Sequence, residues 1–140
     1  MSADIPEKHF STTFKPRFRD TDRVGHVNNA VFATYIENCR VDWLHEIHDR
    51  KELQDIRFII ARIEIDYIKP IHLGGMLRVF MWVSRIGTKS WTFDFAVTDN
   101  KDGTLHARAK SVQVIFNYQT DKTEPLNDAA RSILSELYNE

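Results

Sequence analysis

A carboxylate, a histidine and two asparagines stand close together at Asp22, His26, Asn28 and Asn29. They belong to the stretch Arg19-Asp20-Thr21-Asp22-Arg23-Val24-Gly25-His26-Val27-Asn28-Asn29-Ala30, where a strand-like segment gives way to a long apolar helical one. Asparagine just before an apolar run is a helix-start signal, because its side chain accepts from the orphan N–H groups of the first turn. Those N–H groups carry the positive end of the helix dipole, which suits them to a developing negative charge. Asp22 lies a few residues upstream, near enough to fold over the same point. A carboxylate beside oriented N–H donors is an apparatus for attack on a carbonyl. The same residues also describe an ordinary loop with Asn caps and solvated aspartates, because these types populate any loop.

The elements that position this stretch follow from periodicity. Phe10, Phe14 and Phe18 share one parity and Ser11, Thr13, Lys15 and Arg17 the other, which predicts a half-buried strand over residues 10–18, interrupted by Pro16 and so near a sheet edge or bulged there. Residues 30–48 read as a helix, apolar all round over 30–36 and so enclosed there. It narrows to a stripe of Cys39, Val41, Trp43, Leu44 and Ile47, with His45, His48 and Asp49-Arg50-Lys51 at its end. Strands follow over residues 58–67, 77–83, 91–97 and 105–118, with Asp99-Asn100-Lys101-Asp102-Gly103 as a hairpin loop. In the last strand the apolar parity switches from Leu105, Ala107 and Ala109 to Val112, Val114 and Phe116, which predicts a bulge or a change of burial near Ser111. Residues 129–138 make a short amphipathic helix. Consecutive alternating strands joined by short turns pair antiparallel, and one long helix along such a sheet buries both. Phe80, Trp82 and Ile115 fall off the main parities and predict apolar sheet area left for a partner subunit.

Composition bounds the function classes. The 140 residues make one domain, 1–140, with residues 1–8 as a loose arm. The content is 42% hydrophobic and 28% charged, which is enough for a core, and the formal net charge of −1 gives no global field to recruit nucleic acid or an anionic membrane. Cys39 is the single cysteine, so no intrachain disulfide forms; with no apolar signal core at the N-terminus, the expectation is a soluble cytoplasmic protein with Cys39 buried. His26, His45, His48, His72 and His106 show no metal-ligand spacing, so no metal is expected.

The order of elements and the opening motif together resemble the hotdog-fold acyl-CoA thioesterases of the 4-hydroxybenzoyl-CoA thioesterase type, and within them the group acting on fatty acyl-CoA. The resemblance rests on Arg17-Phe18-Arg19-Asp20-Thr21-Asp22, Gly25-His26-Val27-Asn28-Asn29-Ala30, Tyr35 and Glu37. Ile63-Glu64-Ile65-Asp66-Tyr67-Ile68-Lys69-Pro70, Gly87-Thr88-Lys89-Ser90 and the last strand extend it. It implies an α+β hotdog fold: a five-stranded antiparallel sheet wrapped around one long central helix, with a short C-terminal helix. It implies hydrolysis of acyl-CoA to free acid and CoA, with CoA as part of the substrate and no separate cofactor. It also implies homodimers joined edge to edge, or dimers of dimers, with sites at the subunit interface. Carried over by position, Asp22 is the catalytic carboxylate, as general base or as nucleophile. Asn29 offers its backbone N–H to the thioester oxygen, and His26 and Asn28 hold the loop. Asp20 is the rival carboxylate, expected exposed or paired with Arg17 or Arg19. Arg85, Lys89 and Ser90 are candidates for binding CoA, and Glu37 for facing the substrate. Two alternatives use the same fold: a non-catalytic acyl-thioester-binding protein, and a dehydratase acting on hydroxyacyl thioesters.

Overall fold

In a computed structural model that describes residues 4–48 and 57–140, the period-two apolar sets form one sheet around one helix. In chain order the elements are β1 (Phe10–Phe14), α1 (Asn29–His48), β2 (Phe58–Tyr67), β3 (Leu77–Ile86), β4 (Ser90–Asp99), β5 (Leu105–Asn117), the two-residue β6 (Lys122–Thr123) and α2 (Asp128–Ser135). All pairings are antiparallel, in the order β1-β3-β4-β5-β2, with β6 beside the end of β5. This is the expected α+β hotdog arrangement, five principal strands and a long helix. The segment Asp49-Arg50-Lys51, assigned by sequence to the end of α1, lies outside the described residues.

The inward parities of β3 and β4 hold the core. Leu77, Val79, Met81 and Val83 face Trp91, Phe93, Phe95 and Val97 across the same surface, all buried. Helix α1 lays Phe32, Ile36, Cys39, Trp43 and Ile47 on them, with the Trp43 ring edge-on to Phe93 at 5.2 Å. Cys39 is buried as expected, and burial pushes its thiol well above the usual range. Arg40, on the same helix, is also buried, with Glu37 at 3.9 Å. Asn127 caps α2 by accepting from the N–H of Ala130 at 2.8 Å, and α2 buries Ala130, Ile133 and Leu134. The loop 99–103 turns as expected, its Asp99 carboxylate accepting from the N–H groups of Lys101 and Asp102.

Five local expectations are corrected. The first strand stops at Phe14, because Pro16 supplies no N–H to the ladder. Phe18, assigned to its buried face, opens a 3₁₀ turn and is 83% exposed. The inward parity of β5 does not switch near Ser111. Ala107, Ala109, Ser111 and Gln113 are all buried on one face, so two polar residues take core positions while Val112 and Val114 face out. The register shift beside Ser111 lies on the facing strand, between Ile60 and Arg62 of β2, opposite Gln113 and Val112; the others lie between Val97 and Thr98 and between Val83 and Arg85. Ile115 is not on the outer face: it sits opposite Phe58 and packs against the core. The opening turns of α1 are also less enclosed than an all-round apolar run requires, since Ala30 and Thr34 are exposed.

The correction at Phe18 has a direct measurement. Phe93→Ala removes a fully buried ring and is expected to cost about 3–5 kcal/mol in denaturant unfolding. Phe18→Ala is expected to stay within about 0.5 kcal/mol of wild type.

Candidate active site

The site is built on the reversal between β1 and α1. Asp22 accepts at Oδ1 from the N–H of Val24 at 2.8 Å and of His26 at 3.3 Å. The backbone closes the same loop, with Asp22 N–H to His26 O at 2.8 Å and Gly25 N–H to Asp22 O at 3.2 Å. Gly25 turns it with φ of 89°, a conformation that side-chain-bearing residues rarely adopt. Thr21 and Val27 bridge across the base of the loop, and the N–H of Val27 reaches Ile71 O at 2.9 Å. The His26 ring meets His72 edge-on at 4.7 Å. His26 therefore holds the loop through its backbone and through one ring contact.

Asn28 caps α1. Its Oδ1 accepts from the N–H of Ala30 at 2.9 Å, and its backbone oxygen accepts from Val31 at 2.9 Å. The N–H of Asn28 is itself held by Asp20 O at 2.8 Å. The N–H of Asn29 makes no hydrogen bond among the described residues, and Asn29 is exposed at the helix N-terminus. The Tyr67 hydroxyl donates to Asn29 O at 2.9 Å, and its ring stands edge-on to Phe32 at 5.0 Å.

These groups share a cleft of about 360 Å³, lined by Asp22, His26, Asn29 and Phe32 on one side and by Tyr67, Lys69 and their neighbours on the other. Asp22 and Asn29 are thus brought together as the sequence implied. The N–H of Val24 is the main cause that holds the Asp22 carboxyl below the usual carboxylate range. Desolvation, the next cause, works against this, and the His26 N–H and ring and the Gly25 N–H add to the lowering. The Oδ2 atom of Asp22 makes no hydrogen bond among the described residues. The site therefore offers an ionised carboxylate with one free oxygen, an unpaired backbone N–H at a helix start, and an aromatic wall.

Asp20 differs in kind. It is half-buried, and its Oδ2 accepts from the Tyr35 hydroxyl at 2.8 Å and from the backbone N–H of Arg17 at 2.9 Å. Its partner on Arg17 is the backbone, not the guanidinium. Burial first, and then the neighbouring Asp20 carboxylate, push the Tyr35 hydroxyl above its usual range.

The remaining candidates do not line the cleft within one chain. Arg85 ends β3, Lys89 sits in the β3–β4 turn and Ser90 opens β4, at the end of the sheet opposite to Tyr67. Lys89 Nζ contacts Thr123 at 3.4 Å. Glu37 is exposed beside Arg40. Sequence reasoning did not single out Phe32, Tyr67 and Lys69 as site residues, although the Asp66-Tyr67-x-x-Pro70 turn was the signal available for two of them. Among the described residues no cluster of His, Cys, Asp and Glu could hold a metal ion, and no helix is long and apolar enough to cross a membrane.

Comparison with known proteins bears on the fold and the family. The sequence profile of the thioesterase-like superfamily matches residues 16–134. A predicted thioesterase from Bacillus stearothermophilus superposes with a TM-score of 0.83 at 31% identity, over 94% of this chain and 98% of that one. A thioesterase from Thermus thermophilus, solved with coenzyme A and Zn, gives a TM-score of 0.76 at 33% identity, over 89% and 95%. The long-chain acyl-CoA thioesterase FadM of Escherichia coli is 26% identical over 128 residues, 90% of this chain and 97% of its own length. The chain belongs to the thioesterase-like superfamily, and with it to the thioester hydrolases.

The cap is open to a simple measurement. Asn28→Ala is expected to cost about 0.5–2 kcal/mol in thermal or denaturant unfolding. Asn28→Asp, which keeps an acceptor at the same place, is expected to recover most of that loss.

Proposed function

We propose that this member of the thioesterase-like superfamily hydrolyses acyl-CoA thioesters to free acid and CoA, with Asp22 as the reacting carboxylate. The observation that carries the reading is the meeting of the free Asp22 carboxylate oxygen and the unpaired Asn29 N–H in one cleft. With the thioester carbonyl oxygen at the Asn29 N–H, the helix dipole and that donor stabilise the charge that develops on attack; one such donor is typically worth about 10²–10³ in rate. Asp22 acts in one of two ways. As a general base it takes a proton from water while the water oxygen bonds to the carbonyl carbon. As a nucleophile it forms a mixed anhydride that water then opens. In both, the C–S bond breaks, the thiolate of CoA leaves and takes up a proton, and the acid is released. A carboxyl held below its usual range is a weak base but is fully ionised at neutral pH.

We also propose that the working unit is a two-fold dimer, or a dimer of such dimers, joined along β2. Of the two sheet edges, β1 is five residues long and ends near Pro16, whereas β2 is ten residues long. A long edge with uncovered Ile60, Ile63 and Tyr67 requires pairing. Antiparallel β2–β2 pairing brings the far end of the partner's sheet toward this cleft. The partner's Ser90 would then lie about three strand spacings from Tyr67, roughly 14–15 Å. That separation suits Arg85, Lys89 and Ser90 to the phosphates of CoA rather than to its thioester. Glu37, on the exposed face of α1, would face the same interface.

The non-catalytic and dehydratase readings make different predictions for one experiment: thiol release from a panel of acyl-CoA substrates. Wild type is expected to release thiol. Asp22→Asn is expected to lower kcat by about 10² or more with an unchanged melting profile, while Asp20→Asn affects stability and leaves kcat much nearer wild type. Asn29→Ala, which retains the N–H, is expected to keep much of the activity, and Asn29→Pro, which lacks it, to lose it. Because the native pKa of Asp22 is lowered, kcat/KM is expected to hold steady as pH falls to the ordinary carboxylate range near 4 and to drop only below it. Near-wild-type turnover by a folded Asp22→Asn protein would remove the assignment.

The dimer is tested by sedimentation. Wild type is expected to sediment as a dimer or tetramer at micromolar concentration, and Ile63→Glu to shift toward monomer with loss of activity. An active wild-type monomer would overturn the interface.

A further inference from the structure

Charge changes at three places when a thioester is hydrolysed: the attacking oxygen, the carbonyl oxygen and the sulfur that leaves. The wall of the cleft formed by the Asp22 loop and the start of α1 answers the first two, with the Asp22 carboxylate and the Asn29 N–H. It offers nothing to the sulfur. His26, the basic side chain on that wall, has its ring against His72 and its N–H on Asp22. The carbonyl carbon becomes tetrahedral on attack. A substrate that gives its oxygen and its attacked face to one wall therefore turns its other two substituents, the acyl chain and the sulfur, toward the opposite wall. A cleft of about 360 Å³, if round, is roughly 9 Å across, so a thioester seated in it meets both walls.

The opposite wall is Tyr67, Ile68, Lys69 and Pro70. Its backbone is pinned. The N–H groups of Ile68 and Lys69 both donate to His106 O, at 2.9 and 3.0 Å, and His106 Nδ1 lies 3.2 Å from Lys69 O. His106 is itself buried on β5, and Pro70 fixes the next φ. The Tyr67 hydroxyl reaches across to Asn29 O at 2.9 Å and ties the two walls together. The Lys69 ammonium, by contrast, is exposed and has no hydrogen bond or ion pair among the described residues. Lys69 and Asp22 line the same cleft without pairing with each other, so both charges are left for the substrate.

We infer that Lys69 is a further catalytic residue of this site, its ammonium serving as counter-ion to the sulfur as the C–S bond breaks. The inference rests on the thioesterase reading above. The electron pair of the C–S bond stays on sulfur, the carbonyl double bond re-forms, and the thiolate meets the ammonium before it is protonated from solvent; Lys69 keeps its own proton throughout. A fixed cation placed where negative charge develops lowers the barrier without reorganising at the moment of reaction. The apolar Ile68 and the Tyr67 ring on the same wall suit the acyl chain, which leaves the lysine for the sulfur. The phosphates of CoA lie a full pantetheine arm away from the thioester, beyond the span of this cleft.

The test uses three esters of one acyl group, the group that wild type turns over best: those of CoA, N-acetylcysteamine and thiophenol. The first two leave as alkyl thiolates of like basicity, and of these only CoA carries phosphates. Thiophenolate is a much weaker base and leaves without help. Lys69→Met is expected to lower kcat by about 10–10²-fold on both alkyl thioesters and by less than about threefold on the phenyl thioester, with an unchanged melting profile. Lys69→Arg, which keeps the charge, is expected to stay within about fivefold of wild type on all three. Should Lys69→Met fail to fold, Lys69→Gln removes the same charge and takes its place. A loss confined to the CoA ester, and lying in KM, makes Lys69 a phosphate ligand and overturns the inference. An equal loss on all three esters, as a purely structural residue or a ligand of the acyl group would give, overturns it as well, and so does near-wild-type turnover of all three. Asp22→Asn, run in parallel, is expected to lose activity on every ester, because each requires attack. Absence of thiol release by wild type from any ester removes the thioesterase reading and this one together; hydrolysis that depends on Asp22 but shows no leaving-group dependence in Lys69→Met removes this one alone.

Discussion

The hydrogen bond from the Tyr35 hydroxyl to Asp20 ties the chain reversal to the helix that follows it. The same carboxylate accepts the Arg17 N–H, and the Asp20 carbonyl accepts the Asn28 N–H. Three bonds from one residue thus fix the approach to α1 from outside the helix, while Asn28 fixes its first turn from within. A charge-assisted bond of this kind contributes about 1.5–3 kcal/mol net, and a neutral backbone bond about 1. Without them the residues before α1 would be a mobile loop, and an N–H donor at a helix start has chemical value only when its direction is fixed before the substrate arrives.

Two carboxylates on one loop are divided by what they touch. Asp20 is half-buried and spends one oxygen on a hydroxyl and a backbone N–H. Asp22 is exposed, spends Oδ1 on its own loop and has no hydrogen bond at Oδ2 among the described residues. Each leaves its other oxygen without a hydrogen bond among the described residues, so burial and the choice of partners separate the two. Both are aspartates in a polar stretch, and nothing local in the sequence distinguishes them. The resemblance singles out Asp22.

Most of the fold was legible because it rests on periodicity. β3 and β4 alternate without exception between buried apolar and outward residues through Val83 and Phe95, and α1 begins at the asparagines that signal it. The misreadings came where one local signal had to stand for a tertiary one. Phe18 has the parity of a buried strand residue, but Pro16 had already ended the strand. Ser111 and Gln113 broke an apolar pattern while the backbone kept its parity, because a buried polar pair leaves no mark in a period-two sequence. In the site, Asp22, His26, Asn28 and Asn29 are neighbours in sequence and could be read together. Tyr67 and Lys69 join them only through the return of β2, a contact that no spacing encodes.

The core of β3, β4 and α1 closes on itself, yet β2 leaves its outer edge unpaired and its inward row uncovered, and Ala30 and Thr34 at the start of α1 are bare. Of this exposed surface, Tyr67 lines the cleft, whereas Ile60 lies toward the other end of β2. The residues suited to anionic phosphates, Arg85 and Lys89, lie at the opposite end of the same sheet. A strand cannot bring its own two ends together, but an antiparallel copy of it brings one end beside the other. The geometry that would bury the β2 edge is therefore the same geometry that would supply the cleft with its distant cations, and a single two-fold contact answers both needs.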